Sequence, residues 1–353
     1  MDFSGELLKW YHINKRDLPW RNTKDAYFIW LSEIILQQTR VEQGMPYYLR
    51  FAEHFPDVKS FAAADEDLIL KLWQGLGYYS RGRNMLKTAR NVAENFNGVF
   101  PSSYDQLIKL TGIGEYTAAA ISSFAANEAR AVVDGNVYRL LARHFGVDIP
   151  INTTEGKKYF QKLADSLLNP QHAGEHNQAI IEFGALQCKP KNPNCQVCPF
   201  FASCYARRAN KVHTLPVKLK TLKVKERYFY YFVVISEEKI LIKRRSNNDI
   251  WAGLHDFPMI ESTSALTLED LFVHEQFENW FLDEKVIYSV SSPVKHILTH
   301  QRLFGTFIEI SGLKEDIIKK EDWFWVNINN LDEYAQPKLI FAFLKNFHKL
   351  NEI

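Results

Sequence analysis

Cys188, Cys195, Cys198 and Cys204 are the only cysteines in the 353-residue chain, and they fall in one short segment with the spacing C-x6-C-x2-C-x5-C. In a reducing compartment, clustered thiolates signal a metal rather than disulfides. Four zinc thiolates ordinarily come as two CxxC pairs separated by a longer loop. Here only Cys195 and Cys198 form such a pair. Four cysteines along one loop can instead wrap a cubane cluster whose irons take one thiolate each. The spacing favours iron–sulfur and leaves zinc open.

Two carboxylates stand where they could do chemistry. Glu33 lies in Trp30-Leu31-Ser32-Glu33-Ile34-Ile35-Leu36-Gln37-Gln38, an otherwise apolar helical segment. Burial of that helix would raise the Glu33 pKa and make it a proton donor. The alternative is a solvated stripe of Ser32, Glu33 and Gln37, since residues four apart share a helix face. Asp134, in Ala131-Val132-Val133-Asp134-Gly135-Asn136-Val137, directly precedes a helix and reads as its N-cap. The backbone N–H groups of the cap would hold it ionised. An anionic aspartate there could also stabilise a sugar cation, or trap it as a transient adduct. A protonated and an ionised carboxyl group together are what cleavage of a glycosidic bond requires.

The elements that must position these groups are helical. Apolar residues recur at helical spacing in 26–38, 68–73, 83–95, 104–110, 116–126, 137–145, 154–168 and 178–186. Leu110-Thr111-Gly112-Ile113-Gly114 joins two such segments. Its glycines, Gly112 and Gly114, permit positive φ and close backbone approach, and the helix after it offers free N–H groups to an anion. That is a grip on a DNA phosphate, or an ordinary helix–helix turn. Residues 1–225 carry +8 and the remainder −6, and a basic front half suits a polyanion. Lys189, Lys191, Arg207, Arg208 and Lys211 would face phosphate. Residues 209–225, Lys-rich with Pro216, read as a linker. The texture then changes. Residues 228–235 and 239–244 form a hairpin pattern around Glu237-Glu238, strand-like runs follow at 285–290, 296–299 and 304–310, and 337–348 reads as a helix. That composition predicts an α+β second domain. No apolar run of about 18 residues or more is present, and the N-terminus lacks the pattern of a secretory leader. The chain reads as cytoplasmic, without a membrane.

Several runs resemble one family closely. The cysteine spacing after Glu182-Phe183-Gly184-Ala185-Leu186 is similar to the cluster loop of the endonuclease III and MutY group of DNA glycosylases. LTGIGEYTAAAI at Leu110–Ile121 resembles their helix-hairpin-helix, and LSEIILQQTRV (Leu31–Val41) and VDGNVYRLLAR (Val133–Arg143) resemble the MutY signatures. The resemblance implies a [4Fe–4S] cluster on the four cysteines. It implies that Glu33 protonates the adenine ring and Asp134 stabilises the sugar cation, with Tyr116 and Asn136 in support. Arg21 and Gln178 would contact the extruded adenine, and Gln38 and Tyr78 would wedge into the duplex. Where endonuclease III places a Schiff-base lysine, this chain has Tyr116. The resemblance therefore implies a monofunctional adenine glycosylase acting as a monomer on double-stranded DNA with A:8-oxoguanine or A:G mispairs. A bifunctional glycosylase/lyase and a non-enzymatic iron–sulfur DNA-binding protein are the alternatives.

Trp251-Ala252-Gly253-Leu254-His255-Asp256-Phe257-Pro258 resembles the Nudix-like domain with which MutY proteins recognise 8-oxoguanine. Leu298-Thr299-His300 stands where that family often has Phe-Ser-His. Thr299 keeps a hydroxyl, His300 agrees and Leu298 departs. The expected organisation is a helical helix-hairpin-helix glycosylase domain over 1–208, a linker at 209–225 and a Nudix-like α+β domain over 226–353. The helical domain would comprise a six-helix subdomain at about 24–130 and an iron–sulfur subdomain from 1–23 plus 131–208.

Overall fold

The first helix of the chain, α1 (Phe3–Asn14), begins where the Asp2 carboxylate accepts a 3.0 Å hydrogen bond from the Gly5 N–H. It is held by Phe3, Leu7 and Tyr11, which recur every four residues and are all buried. In chain order there follow α2 (Ala26–Ile35), α3 (Val41–His54), α4 (Val58–Ala62), α5 (Glu66–Trp73) and α6 (Ser80–Asn95). Next come α7 (Tyr104–Leu107), α8 (Glu115–Ala126), α9 (Gly135–Phe145), α10 (Thr154–Leu167), α11 (Ala173–Leu186) and α12 (Tyr205–Arg208). The computed structural model describes residues 2–219, 224–246, 249–281, 287–311, 313 and 322–351. Packing divides the chain into two units, Met1–Ala64 with Asn84–Lys220, and Asp65–Arg83 with Thr221–Ile353.

In the first unit α2 is apolar on nearly every side, as a central helix must be, with Ile29, Trp30, Leu31, Ile34 and Ile35 all buried. It packs on α8, and α11 packs on α1, α8 and α9. Leu7, Leu141, Phe160, Phe183 and Phe200 share one core. The helical pattern predicted to reach Gln38 stops at Ile35. Gln38 has a φ of 57°, which cannot continue a right-handed helix. Lys-rich residues 209–219 are not a free linker. Leu215 is buried in the first unit's core, Arg143 Nε donates to its carbonyl at 3.1 Å, and the Ile151 N–H donates to the Val217 carbonyl at 3.0 Å. Three apolar residues, Val212, Leu215 and Val217, suffice to dock that stretch.

The second unit contains β1 (Lys225–Ser236), β2 (Lys239–Arg244), β3 (His255–Asp256), β4 (Met259–Ser262), α13 (Leu268–Phe272) and α14 (Glu275–Trp280). It continues with β5 (Ile287–Val290), β6 (Val294–Ile297), β7 (Gln301–Ser311), β8 (Trp323–Asn327) and α15 (Lys338–Asn351). The strands form one mixed sheet in the order β3-β2-β1-β7-β5, with β4 on β1, β6 on β7 and β8 on β2. β1 and β7 run parallel from Lys225↔Gln301 to Ile235↔Ser311, and the other pairs are antiparallel. Alternate residues of β1 enter different cores, Phe229, Tyr231 and Val233 with Leu339 of α15, and Tyr230, Phe232 and Val234 with Leu271 and Phe277. Burial on both faces is why this strand reads as a continuous apolar run. The predicted β1–β2 hairpin is present, with Glu237 at a φ of 51° in its turn. The strand expected at 296–299 ends at Ile297, and the short β3 and β4 and the strand β8 were not anticipated. Of the run expected at 285–290, residues 285 and 286 lie outside the described residues.

The contact between α9 and α11 depends on Gly184. A Cβ there would stand 2.6 Å from Asn136 Cβ and 2.7 Å from the Asn136 carbonyl oxygen. Gly184→Ala should therefore destabilise the protein by about 1–3 kcal/mol. Urea denaturation measures it, and a variant as stable as the parent would show that α11 can shift without cost.

Candidate active site and cysteine loop

Glu33 sits on the last turn of α2. The solvated-stripe alternative does not hold there. Ser32 is completely buried and donates to the Ile29 carbonyl at 2.7 Å, and Gln37 Nε2 donates to Thr117 Oγ1 at 3.3 Å. Glu33 is half-buried, and burial pushes its carboxyl up to about 7. A hydrogen bond with Tyr116 and the positive charge of Arg21 pull it down, while the negative charge of Asp134 pushes it further up. A carboxyl poised there holds a proton at neutral pH and can release it.

Tyr116 lies in the first turn of α8, and its burial beside Glu33 and Asp134 pushes the phenol well above its ordinary value, so it stays a neutral donor. The turn that places it needs left-handed backbone at one glycine, not two. Gly112 has a φ of 77°, and a Cβ there would lie 2.9 Å from Asn84 Cβ. Gly114 is the extended N-cap of α8, with no atom within 4 Å of where a Cβ would stand. Its lack of a side chain leaves the start of a twelve-residue helix open to an anion.

Asp134 is the N-cap of α9. Its Oδ1 accepts from the N–H groups of Asn136 and Val137, both at 2.8 Å, and its Oδ2 accepts from Asn136 Nδ2 at 2.8 Å. Burial nevertheless outweighs these donors and the Arg139 charge, and it raises the carboxyl from its ordinary value. Burial thus works against the ionisation that the cap N–H groups were expected to favour. Asn136 is braced in turn, since its Oδ1 accepts from Arg139 Nη2 at 2.9 Å. The same guanidinium donates to the carbonyls of Gly184 at 2.6 Å and Cys188 at 2.7 Å. One side chain thus ties the cap of α9 to the start of the cysteine loop.

Arg21 and Gln178 belong to one group with residues the sequence did not single out. Glu182 is completely buried and accepts from Arg21 Nη1 at 2.9 Å and Nη2 at 2.8 Å. It also accepts from Arg16 Nε at 2.9 Å and Nη2 at 2.7 Å. Burial opposes its ionisation, but these donors bring its pKa down to about 2. Tyr11 donates to Gln178 Oε1 at 2.8 Å. Glu182 carried the signal that marked Glu33, a carboxylate within an apolar helix. Tyr11 carried none, because its partner is 167 residues away.

Gln38 and Tyr78 share an uncommon conformation, with φ of 57° and 48°. Left-handed backbone at bulky residues persists where surrounding structure enforces it, and it clusters at ligand sites. Both residues are exposed. Within the second unit the Tyr78 hydroxyl is hydrogen-bonded to Thr299. Thr299 and His300 are exposed at the β6–β7 turn, Leu298 packs inward on that unit's core, and Ile297 is 69% exposed.

All four cysteines line one cavity with Leu140, Phe183, Phe200 and Arg143. Among the described residues no three His, Cys, Asp or Glu side chains converge as a single ion would require. Four thiol side chains lining one cavity are a donor set that fits a cluster taking one thiolate per iron. Arg143 Nη1 lies 3.5 Å from Cys188 Sγ and donates to the Lys189 carbonyl at 2.7 Å, fixing the loop to α9. Among the described residues no helix is long and apolar enough to cross a membrane.

Residues 31–169 match the family described as HhH-GPD superfamily base excision DNA repair protein, and residues 230–346 match the NUDIX domain family. An adenine DNA glycosylase of Buchnera aphidicola subsp. Baizongia pistaciae is 34% identical over 353 residues, covering 99% of this chain and 97% of the relative. An adenine DNA glycosylase of Homo sapiens is 40% identical over 215 residues, covering 58% of this chain and 39% of the relative. Among solved structures, a thermostable thymine-DNA glycosylase aligns with a TM-score of 0.55 at 27% identity, over 59% of this chain and 95% of its own.

The Glu33 environment has a consequence for stability. Its folded pKa of about 7 exceeds the ordinary 4.5. Between those pH values the folded protein binds a proton that the unfolded chain has released, so stability falls as pH rises and the full cost applies above about 7. Glu33→Gln removes that cost. The variant should exceed the parent in stability by about 1–3 kcal/mol at about pH 8, with the gap closing toward about pH 5. Denaturant titrations at the two pH values check this, and equal stabilities at the higher pH would contradict it.

Proposed function

Because the chain belongs to the adenine DNA glycosylases of the HhH-GPD superfamily of base excision DNA repair proteins, we propose that it releases adenine with Glu33 as proton donor and Asp134 as the anion beneath the sugar. The observation that carries this reading is the raised pKa of Glu33 next to a separately hydrogen-bonded Asp134. Glu33 delivers its proton to a ring nitrogen of the base, which makes the base a neutral leaving group. Positive charge then grows on the sugar, and Asp134 lies close enough for its charge to act on Glu33. Tyr116 holds Glu33 by a hydrogen bond, and Asn136 holds Asp134. Water completes the hydrolysis. No amine takes part, because Tyr116 occupies the place of the lyase lysine.

Arg21 and Gln178 take the flipped adenine, with Arg21 near enough for its charge to reach Glu33. Gln38 and Tyr78, both exposed and both on left-handed backbone, fill the stack that the base vacates. The α8 N-terminus behind Gly112 and Gly114 takes a phosphate. Thr299 and His300, exposed on their turn, read the opposite base, 8-oxoguanine or guanine, in double-stranded DNA. On this reading the protein works as a monomer at the nucleoid, through DNA. Cys188, Cys195, Cys198 and Cys204 would hold a [4Fe–4S] cluster, which supplies folding energy and shape to the loop rather than bond cleavage. Arg139 and Arg143 then keep that loop in register with α9.

Duplexes with adenine opposite 8-oxoguanine and opposite guanine test the assignment. The protein should release adenine and leave the strand intact until alkali is added, and Glu33→Gln should lose at least about a hundredfold in rate. Unchanged release by that variant, or borohydride trapping through a lysine, would sink the mechanism. The purified protein should also be brown with near-visible absorbance that acid bleaches. A colourless protein carrying zinc would overturn the cluster assignment.

A further inference from the structure

We propose that Arg143 is the built-in counter-charge of the cysteine site, a buried cation balanced by the thiolates there, and that it makes the bound cluster harder to oxidise. The inference rests on the reading of the four cysteines as the holders of a [4Fe–4S] cluster.

Arg143 is 3% exposed and lies in the last turn of α9. Its guanidinium donates in several directions at once. Nε meets the Leu215 carbonyl at 3.1 Å, Nη1 the Lys189 carbonyl at 2.7 Å and Nη2 the Pro190 carbonyl at 3.1 Å. Nη1 carries a second hydrogen and lies 3.5 Å from Cys188 Sγ. Apart from that sulfur the acceptors are neutral carbonyls, and among the described residues no carboxylate is paired with Arg143. The contrast is with Arg16 and Arg21, which both sit on the Glu182 carboxylate. Arginine keeps its proton even when buried, so Arg143 cannot escape its charge by neutralising. A buried cation is costly unless an opposite charge stands close by. The cavity that Arg143 lines together with all four cysteines is where such a charge arises once the thiols are deprotonated as ligands.

The guanidinium then acts on the redox balance of the site. A cubane core with four thiolates is an anion, and the more reduced of two neighbouring states carries one negative charge more. A fixed positive charge beside it favours the reduced state, and an N–H donated to a ligand sulfur works in the same direction. When one electron leaves for an electrode, no bond is made or broken. Arg143 keeps its proton and its contacts, and only its attraction to the site is weakened. Arg207 lines the same cavity but is exposed, 3.6 Å from the centre of the Phe201 ring, where water and salt screen it. Burial sets Arg143 apart from it.

The test is the reduction potential of the cluster in the full chain, measured by protein-film voltammetry for the parent, Arg143→Met, Arg143→Lys and Arg207→Met. Arg143→Met should lower the potential so that the oxidised form is favoured about tenfold, which is about 59 mV for one electron. Arg143→Lys should recover most of that shift, and Arg207→Met should barely move the potential. The Arg143→Met shift should persist in about 1 M salt, which screens exposed charges. An unchanged or raised potential in Arg143→Met, an equal fall in Arg207→Met, or a shift that salt abolishes overturns the proposal. Should Arg143→Met take up no cluster, Arg143→Lys must restore loading, and a lysine variant that stays colourless overturns it equally. A brown parent whose potential ignores Arg143 fails this inference alone. A colourless parent fails the cluster reading beneath it.

Discussion

Two carboxyl groups, Glu33 and Asp134, lie close enough in a weakly solvated part of the first unit that they cannot both be charged at low cost. The surrounding structure resolves that conflict asymmetrically. Asp134 receives two backbone N–H groups and an amide, because it caps a helix. Glu33 is set in the apolar α2 with a neutral phenol and within reach of the Arg21 charge. This asymmetry favours the proton on Glu33 and the charge on Asp134. Much else in the unit maintains this difference. Gly184 lets α11 approach the cap of α9, Arg139 braces Asn136 from behind, and Glu182 holds Arg21 where its charge is felt without making an ion pair with Glu33.

What could be read from the amino-acid order follows from the range of the interactions involved. The Asp134 cap depends on residues two and three positions ahead and was legible. So were the turn around Gly112 and the β1–β2 hairpin. Glu33 was half legible, since an acid in an apolar helix admits both a buried and a solvated reading until Ser32 and Gln37 are seen to be occupied. Tyr11, Arg16 and Arg139 were invisible, because their partners are 167, 166 and 49 residues away. Periodicity does not report such pairings. Family resemblance supplied Arg21 and Gln178, but not the groups that orient them.

The second unit shows the same limit in another form. Leu298 departs from the aromatic residue that the family often carries, and its side chain packs on the core. The exposed apolar residue of that turn is its neighbour Ile297. Tyr78 is joined to Thr299 across 221 residues of sequence, so two features read separately from the chain form one hydroxyl pair. The packing division gives the physical reason, since Asp65–Arg83 belong with Thr221–Ile353 rather than with the helices on either side of them in sequence.

The pH dependence of single-turnover adenine release tests the central assignment most directly. A proton held on Glu33 with a pKa of about 7 predicts that the rate declines as pH rises through that value, with one ionisation that is absent from the residual rate of Glu33→Gln. A rate that is flat or rising between about pH 6 and pH 8, or the same decline in the variant, would contradict it.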